Sequence, residues 1–362
     1  MKNLIILIIL TIFFINSTIS VNGLDEKNSQ IIIGPYPQNP EFDSITIIWE
    51  TNISTTNNSV HYGLTQDCEQ KKYNNISGNF HTVELNGLIS STKYFYKVVS
   101  DHIESSIYSF YTKFEENSST RFVIYGDSRG VWDNWVNASI VADKIEIEHP
   151  YFVLHTGDFV KNGIYIDQWI DFFSISTFIH NSTLYPALGN HEQYGEAYFK
   201  YFLLRNNEPW YSFDYGSVHF ISLDSNFRNS IKLSQLSWLL KDLKSNNQPF
   251  TIIFFHHPPY SSGNHGSTIY LRFIWGLFFE YFNVDIVFNG HDHCYERGKV
   301  KSVNYIVTGG GGAPPYDTGN KWWTVHSEKT FHYCLISCNN DQLSFNAIKL
   351  NGTIFDSFVI QK

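Results

Sequence analysis

The stretch Val284-Asp285-Ile286-Val287-Phe288-Asn289-Gly290-His291-Asp292-His293 decides how this chain folds. A mostly apolar run of strand length meets a glycine-loosened turn that carries two histidines two residues apart. Such a run reads as a strand buried on both faces, and both imidazoles just beyond it can aim at one point. Zinc, iron and manganese suit that pair. Alone the pattern is weak, because a His-x-His is more often an ordinary surface or core pair. Its weight depends on how the other strands end.

They end alike. Phe122-Val123-Ile124-Tyr125 stops at Gly126-Asp127, and Tyr151-Phe152-Val153-Leu154-His155-Thr156 stops at Gly157-Asp158. Leu184 to Leu188 is extended and ends at Gly189-Asn190-His191-Glu192, and Phe250 to Phe255 runs into His256-His257-Pro258-Pro259-Tyr260. Helical patterns fall between them, at Val136 to Ile145, Trp169 to Ile179, Leu233 to Leu243 and Ile269 to Phe282. Buried strands alternating with helices imply an α/β domain with largely parallel central strands. In such sheets, sites form just beyond the carboxyl ends of the strands. A lone Gly-Asp there is a turn; five tips bearing only metal-competent side chains are more than turn chemistry explains.

The residue types suggest two neighbouring cations bridged by a carboxylate. Asp158 is the bridge; Asp127 and His293 complete one site, and Asn190, His256 and His291 the other. Water on such metals is acidified to a hydroxide nucleophile, and the cations offset charge on a phosphoryl oxygen. His191, beside Asn190, is placed to donate to the phosphate or leaving oxygen. Glu192 either orients His191 or is a surface residue. Arg129, at the first tip, is a phosphate clamp or a structural salt-bridge residue.

Composition sets the bounds. Few charges (16%) and many aromatics (17%) in 362 residues predict a large core and rule out global disorder. A net charge of −9 argues against a nucleic-acid-binding surface. Residues 1–23 read as a signal peptide: Lys2, then an apolar core from Leu4 to Ile15, then a small or polar stretch from Ser17 to Gly23. Sequons at Asn52, Asn57, Asn75, Asn117, Asn137, Asn181 and Asn351 predict N-linked glycans and a secreted or lysosomal/endosomal location. The C-terminal Phe358-Val359-Ile360-Gln361-Lys362 has no hydrophobic tail for a lipid anchor, so no membrane anchor is expected in the mature chain. The cysteines, Cys68, Cys294, Cys334 and Cys338, read as structural; one or two disulfides would suit an exported protein, and three complete pairings are open.

Residues 24–114 read as a small all-β sandwich. Ser44 to Trp49, Ser59 to Tyr62, His81 to Leu85 and Tyr94 to Val98 are short strands with polar turns between them. Thr92, Tyr94 and Tyr96 stand where fibronectin type III domains carry a tyrosine corner. A polar linker is expected over 115–120, and the α/β domain over 121–362. Gly309 to Gly312 follows a strand and lacks the Lys-Ser/Thr of a P-loop, so it predicts close backbone approach. Trp210, Tyr211, Trp322 and Trp323 either line a substrate mouth or are buried.

Together these motifs resemble the calcineurin-like metallophosphoesterase superfamily, specifically its purple-acid-phosphatase-like branch. The likeness runs from the β-sandwich through Gly126-Asp127, Gly157-Asp158, Gly189-Asn190-His191-Glu192, His256-x-Pro-x-Tyr260 and Gly290-His291-x-His293 to Tyr305–Gly312. It implies an α/β four-layer sandwich, two β-sheets flanked by helices, and hydrolysis of phosphate monoesters on small-molecule substrates by a metal-bound hydroxide at a dinuclear centre. A phosphodiesterase on nucleotide or lipid head groups, or a decayed glycosylated binding protein, are the alternatives. The resemblance makes His256 rather than His257 the ligand, and places His265 near the leaving group; as a plain loop residue His265 needs no such role. Two positions depart from the pattern. Purple enzymes carry a tyrosine where Lys161 stands, and other members a histidine where Arg129 stands. Neither cation is a ligand while protonated. An uncoloured enzyme with zinc, manganese or iron(II) is therefore expected, with His293 the only nitrogen ligand of its site.

Overall fold

The computed structural model describes residues 29–115, 118–204 and 209–362. The expected leader, the middle of the expected linker and the sequon at Asn117 lie outside them. Two large sheets carry most of the chain. One runs in the order Thr183–Pro186, Phe152–His155, Thr120–Tyr125, His332–Cys338, Gln342–Lys349, Ile354–Gln361. The other runs Tyr211–Tyr215, Val218–Ser222, Phe250–Phe254, Ile286–Asn289, Val303–Thr308, Tyr295–Val300, Thr324–Glu328. Their central strands pair in parallel, so the tips that follow them lie side by side: His155 stands level with Tyr125 and Pro186, and Phe254 with Phe288.

Period-two alternation explains why the runs are apolar throughout. Phe122, Ile124, Phe152 and Leu154 face Ile252, Phe254, Ile286 and Phe288 in the core between the sheets. Their neighbours Val123, Tyr125 and Val153 pack on the other face with Val141, Ile145, Trp169 and Phe172 from the helices Val136–Ile147 and Ile166–Ile175. On the second sheet Ile253 and Val287 meet Leu239, Leu243, Trp275 and Phe279. The result is the expected four layers, helix, sheet, sheet, helix.

Two helices differ from expectation. The one read over Trp169 to Ile179 spans Ile166–Ile175 and gives way to a short 3₁₀ turn at Thr177–His180. The one read over Ile269 to Phe282 contains a π-turn at Arg272–Gly276. Leu271, Trp275 and Phe279 are spaced by four and all reach the same core. Four residues overshoot an α-turn of 3.6, and the wider turn absorbs the difference. All four cysteines are buried free thiols, with no disulfide among them.

The preceding unit is all β. Ile31–Gln38, Ser44–Thr55 and Gly78–Asn86 form one sheet; Gln70–Asn74, Asn58–Gly63, Lys93–Ser100 and Ile103–Glu104 form the other, with Tyr108–Tyr111 also paired to Lys93–Ser100. Trp49 is fully buried in its core and its indole N–H donates to Ser100 Oγ at 2.8 Å. The Tyr94 hydroxyl oxygen accepts the Ile89 N–H at 3.0 Å, tying the loop back as a tyrosine corner would. This unit is welded to the α/β layers. Glu50 accepts from Tyr201 Oη at 2.8 Å and Lys200 Nζ at 2.7 Å, and the Tyr36 hydroxyl donates to the Tyr201 carbonyl at 2.8 Å.

One ion cluster sets a pH limit on the fold. His219 places Nδ1 2.6 Å from Asp214 and Nε2 2.8 Å from Asp242. Burial alone would lower its pKa, but the two carboxylates outweigh that and hold it up at about 9. The folded state therefore keeps a proton that the unfolded chain releases above its own histidine pKa, about 6.5. The stabilisation is complete below that value and is lost as pH rises through about 9. Unfolding free energy from urea titrations is expected to fall by about 1–2 kcal/mol over this window, discounted because Asp214 is half exposed. In His219→Phe that component of the slope should vanish; an unchanged slope would remove this cluster from the account.

Candidate metal centre

The site is built from backbone first. Asp127, Asp158 and His291 adopt left-handed φ values of 58°, 59° and 70°. Side chains other than glycine hold that conformation at a cost of about 1–3 kcal/mol each, so surrounding contacts must enforce it. They do so by cross-wiring the tips. Asp127 Oδ2 accepts the His291 N–H at 2.9 Å, and Asp158 Oδ1 accepts the His191 N–H at 3.0 Å. Each aspartate thus spends one oxygen on another tip. The other oxygens, Asp127 Oδ1 and Asp158 Oδ2, are buried with no hydrogen-bond partner.

Glu192 is neither a surface residue nor a partner of the His191 ring. Fully buried, its carboxylate accepts the N–H groups of Asp158 (3.0 Å), Phe159 (2.8 Å) and Gly189 (2.8 Å). It clamps two tips together from beneath. A side chain at Gly189 would collide with the Asp158 carboxylate and lie 2.6 Å from Glu192 Oε2, which is why glycine is needed there.

Above this floor, donor atoms converge on one point. His256 Nδ1 lies 3.0 Å from the Thr156 carbonyl, which can only accept, so Nδ1 carries a proton. In the neutral ring Nε2 is then a lone pair. It faces Asn190 Oδ1 at 3.0 Å, His291 Nδ1 at 3.3 Å and Asp158 Oδ2 at 3.3 Å. Asp158 Oδ2 and Asn190 Oδ1 are both acceptors, and one proton on Nε2 cannot satisfy both; a cation can. The same neighbourhood favours a proton when no metal competes. Burial alone would lower the His256 pKa, yet the carboxylates of Asp158, Asp127 and Glu192 raise it to about 9. Asp158, despite burial, is held well below the ordinary carboxylate range by His256 and Arg129. His291 is kept neutral by burial and by the neighbouring His256. An ionised carboxylate, an amide oxygen and two imidazoles form a donor set suited to zinc, manganese or iron.

The second set is arranged differently. His293 Nδ1 lies 3.0 Å from the Pro314 carbonyl, which again assigns the proton to Nδ1 and the lone pair to Nε2. That lone pair faces Arg129 Nη2 at 2.6 Å, while Asp127 Oδ1 stands 3.6 Å away. Arg129 Nη1 is 3.5 Å from Asp158 Oδ2. Arg129 thus makes the ion pair that one of its two readings expects. Burial and the guanidinium push the His293 pKa down to about 3. Asp127 goes the other way, up to about 8, because burial and Asp158 outweigh His256 and Arg129.

A family model for calcineurin-like phosphoesterases matches residues 98–295, more than half of the chain. The chain belongs to that family. A second model, the N-terminal domain of purple acid phosphatases, matches residues 35–112. Among curated relatives, the Fe(3+)-Zn(2+) purple acid phosphatase 12 of Arabidopsis thaliana is 26% identical over 318 residues, 75% of this chain and 66% of that one. The phosphoenolpyruvate phosphatase of Allium cepa is 26% identical over 319 residues, 75% of this chain and 63% of that one. The chain thus spans about two thirds of the length of these relatives. In fold it is similar to the purple acid phosphatase PPD1 from yellow lupin (Lupinus luteus) seeds, at TM-score 0.75, 21% identity, and 90% and 74% coverage of the two chains. A structure of PhoD follows at TM-score 0.73, 12% identity, and 91% and 90% coverage.

All the expected site residues of this chain gather where the strand tips of the two facing sheets meet, in depth order. Asp127, Asp158, His256 and His293 form a buried floor, with Arg129 beside them; His191 and His291 are half-buried, and Asn190 and His265 form an exposed rim. His191 Nδ1 is held by the Lys161 carbonyl at 2.6 Å, leaving Nε2 3.9 Å from Asp158. The His265 ring lies 4.4 Å from His291, centroid to centroid. Gly311 donates its N–H to the Gly126 carbonyl, so the glycine run does provide close backbone approach.

Other site features were not visible in sequence. His257 Nδ1 bonds Ser225 Oγ at 2.9 Å, and a ligand-capable atom of its ring falls within 4.8 Å of those of His256 and His291. Tyr316 stacks on His293 at 4.1 Å, and the half-exposed Trp132 lies under both Arg129 and Lys161. Of the aromatics considered for a mouth, Tyr211 and Trp323 are buried in the cores. A cleft of about 600 Å³, lined by residues that include Glu41, Lys113, Asp214, His219 and Asp242, shares no residue with the site. Its His219 is already paired with Asp214 and Asp242. Among the described residues no helix is long and apolar enough to cross a membrane.

Proposed function

We propose that this chain is a metal-dependent hydrolase of small phosphate monoesters. The observation that carries this reading is the convergence of Asp158 Oδ2, Asn190 Oδ1 and His291 Nδ1 on the His256 lone pair. A divalent cation held by these residues would polarise a phosphoryl oxygen and lower the pKa of water beside it toward about 7. The chain's own groups supply the rest. His191, fixed through Nδ1, presents Nε2 to the mouth, where it can hydrogen-bond a phosphoryl or leaving-group oxygen. His265, on the exposed rim against His291, is placed to meet the leaving group. Arg129 and Lys161 concentrate positive charge at the floor and wall, which draws an anion into an otherwise acidic protein.

We also propose passage through the secretory pathway. Asn52, Asn57, Asn75 and Asn351 are exposed, as glycan acceptors must be, whereas Asn137 and Asn181 are half-buried and Asn181 Oδ1 accepts from the Ser109 N–H. Hydrolysis of an aryl phosphate monoester by purified protein supplied with zinc, manganese or iron(II) tests the enzymatic reading. The monoester is expected to turn over at least about tenfold faster than the aryl diester, because it brings one more negative charge to Arg129, Lys161 and the cation. A diester preference would replace the substrate class; no turnover of either ester with any of these metals would refute the enzyme.

A further inference from the structure

We infer that this chain holds one metal ion, and that the Arg129 guanidinium permanently fills the second cation position. The inference rests on the metal-dependent reading above and departs from the two-metal expectation of the resemblance. To ligate a metal, His293 needs the Nε2 lone pair, because Nδ1 donates to the Pro314 carbonyl. That lone pair is 2.6 Å from Arg129 Nη2. A guanidinium does not deprotonate in a protein, so the nitrogen there is always a donor and the lone pair is committed.

The same guanidinium reaches Asp158, with Nη1 3.5 Å from Oδ2. It therefore spans a histidine and the carboxylate expected to bridge two cations, as the second cation would. Arg129 is only 5% exposed, and its carbon Cζ lies 5.4 Å from the centre of the Trp132 ring, so packing holds it. Lys161 Nζ sits 5.2 Å from the centre of the same ring. Two cations thus stand on one indole at this corner. The His256 set shows the opposite: Nε2 faces only a carboxylate oxygen, an amide oxygen and an imidazole nitrogen. The centre is thus one metal beside one arginine.

The test is metal stoichiometry. Protein stripped of metal, reconstituted with excess manganese(II) and desalted is weighed by native mass spectrometry and read by electron paramagnetic resonance. One ion per chain, with an uncoupled manganese spectrum, is expected. His293→Ala should keep that count, and Arg129→His, which exchanges the cation for a donor, should raise it to two. Two ions in the wild type, or loss of one ion in His293→Ala, would overturn the inference and leave the hydrolase reading standing. No bound ion at all would overturn both. Should Arg129→His fail to fold, the wild-type and His293→Ala counts decide.

Discussion

Replacing Asp158 by asparagine is expected to reduce kcat for a phosphate monoester by about 10³-fold or more, roughly 4 kcal/mol of transition-state stabilisation. Asp158 is where the chain's interactions intersect. Its Oδ1 accepts the His191 N–H, and its Oδ2 faces His256 at 3.3 Å and Arg129 at 3.5 Å. Asparagine preserves the first contact through its carbonyl. It puts an amide NH2, a donor with no lone pair to offer a cation, where the second oxygen stood. The loss should therefore appear in kcat and in metal affinity together, while thermal stability of the metal-free protein moves by no more than about 2 kcal/mol because the shape is kept. Steady-state kinetics, metal content and a melting curve on one preparation check all three. Activity within tenfold of wild type would remove Asp158 from the chemistry.

Glu192→Ala is expected to be the most destabilising single change at the site. Three buried N–H groups, those of Asp158, Phe159 and Gly189, lose their only side-chain acceptor at once. Buried unsatisfied donors cost about 1–3 kcal/mol each, and partial relaxation leaves a loss of about 3–5 kcal/mol. Burial and the nearby Asp158 already push the Glu192 pKa up to about 7. The carboxyl is therefore maintained at some electrostatic cost, offset by what it organises. Glu192→Gln keeps one acceptor and should lose less. Urea titration followed by tryptophan fluorescence separates the two variants. A loss below about 1 kcal/mol in the alanine variant would mean that the tips are held some other way.

The readable part of the fold was the part buried on both faces. Phe122 to Tyr125, Phe152 to His155, Phe250 to Phe254 and Ile286 to Asn289 serve one core with alternate residues and a second core with the others, so sequence shows them as unbroken apolar runs. Tips follow automatically once the strands are parallel. Less readable was Tyr295–Val300, whose Glu296, Arg297 and Lys299 conceal a strand, because Arg297 pairs with Asp356 at 2.7 Å and Glu296 accepts from Trp323 and Thr324. The strands Tyr211–Tyr215 and Val218–Ser222 were masked by aromatic density, which fits core as well as binding surface.

At the site, residue types were legible and pairings were not. Arg129 and His293 stand 164 positions apart, and only the folded sheet edge shows that one nitrogen donates to the other. Lys161 was conspicuous as a departure from a pattern, but its meeting with Trp132 is tertiary. The role of Glu192 was hidden for a similar reason. Its partners are backbone N–H groups, which have no signature in sequence.

The central claim is that hydrolysis depends on a cation at the His256 set. Its most direct measurement is the rate of aryl phosphate hydrolysis by protein stripped with chelator and then titrated with a single divalent metal. Activity should fall to background on stripping and return as metal is added, and His256→Ala should fail to recover under the same titration. Turnover that survives complete removal of metal, or full recovery in His256→Ala, would contradict it.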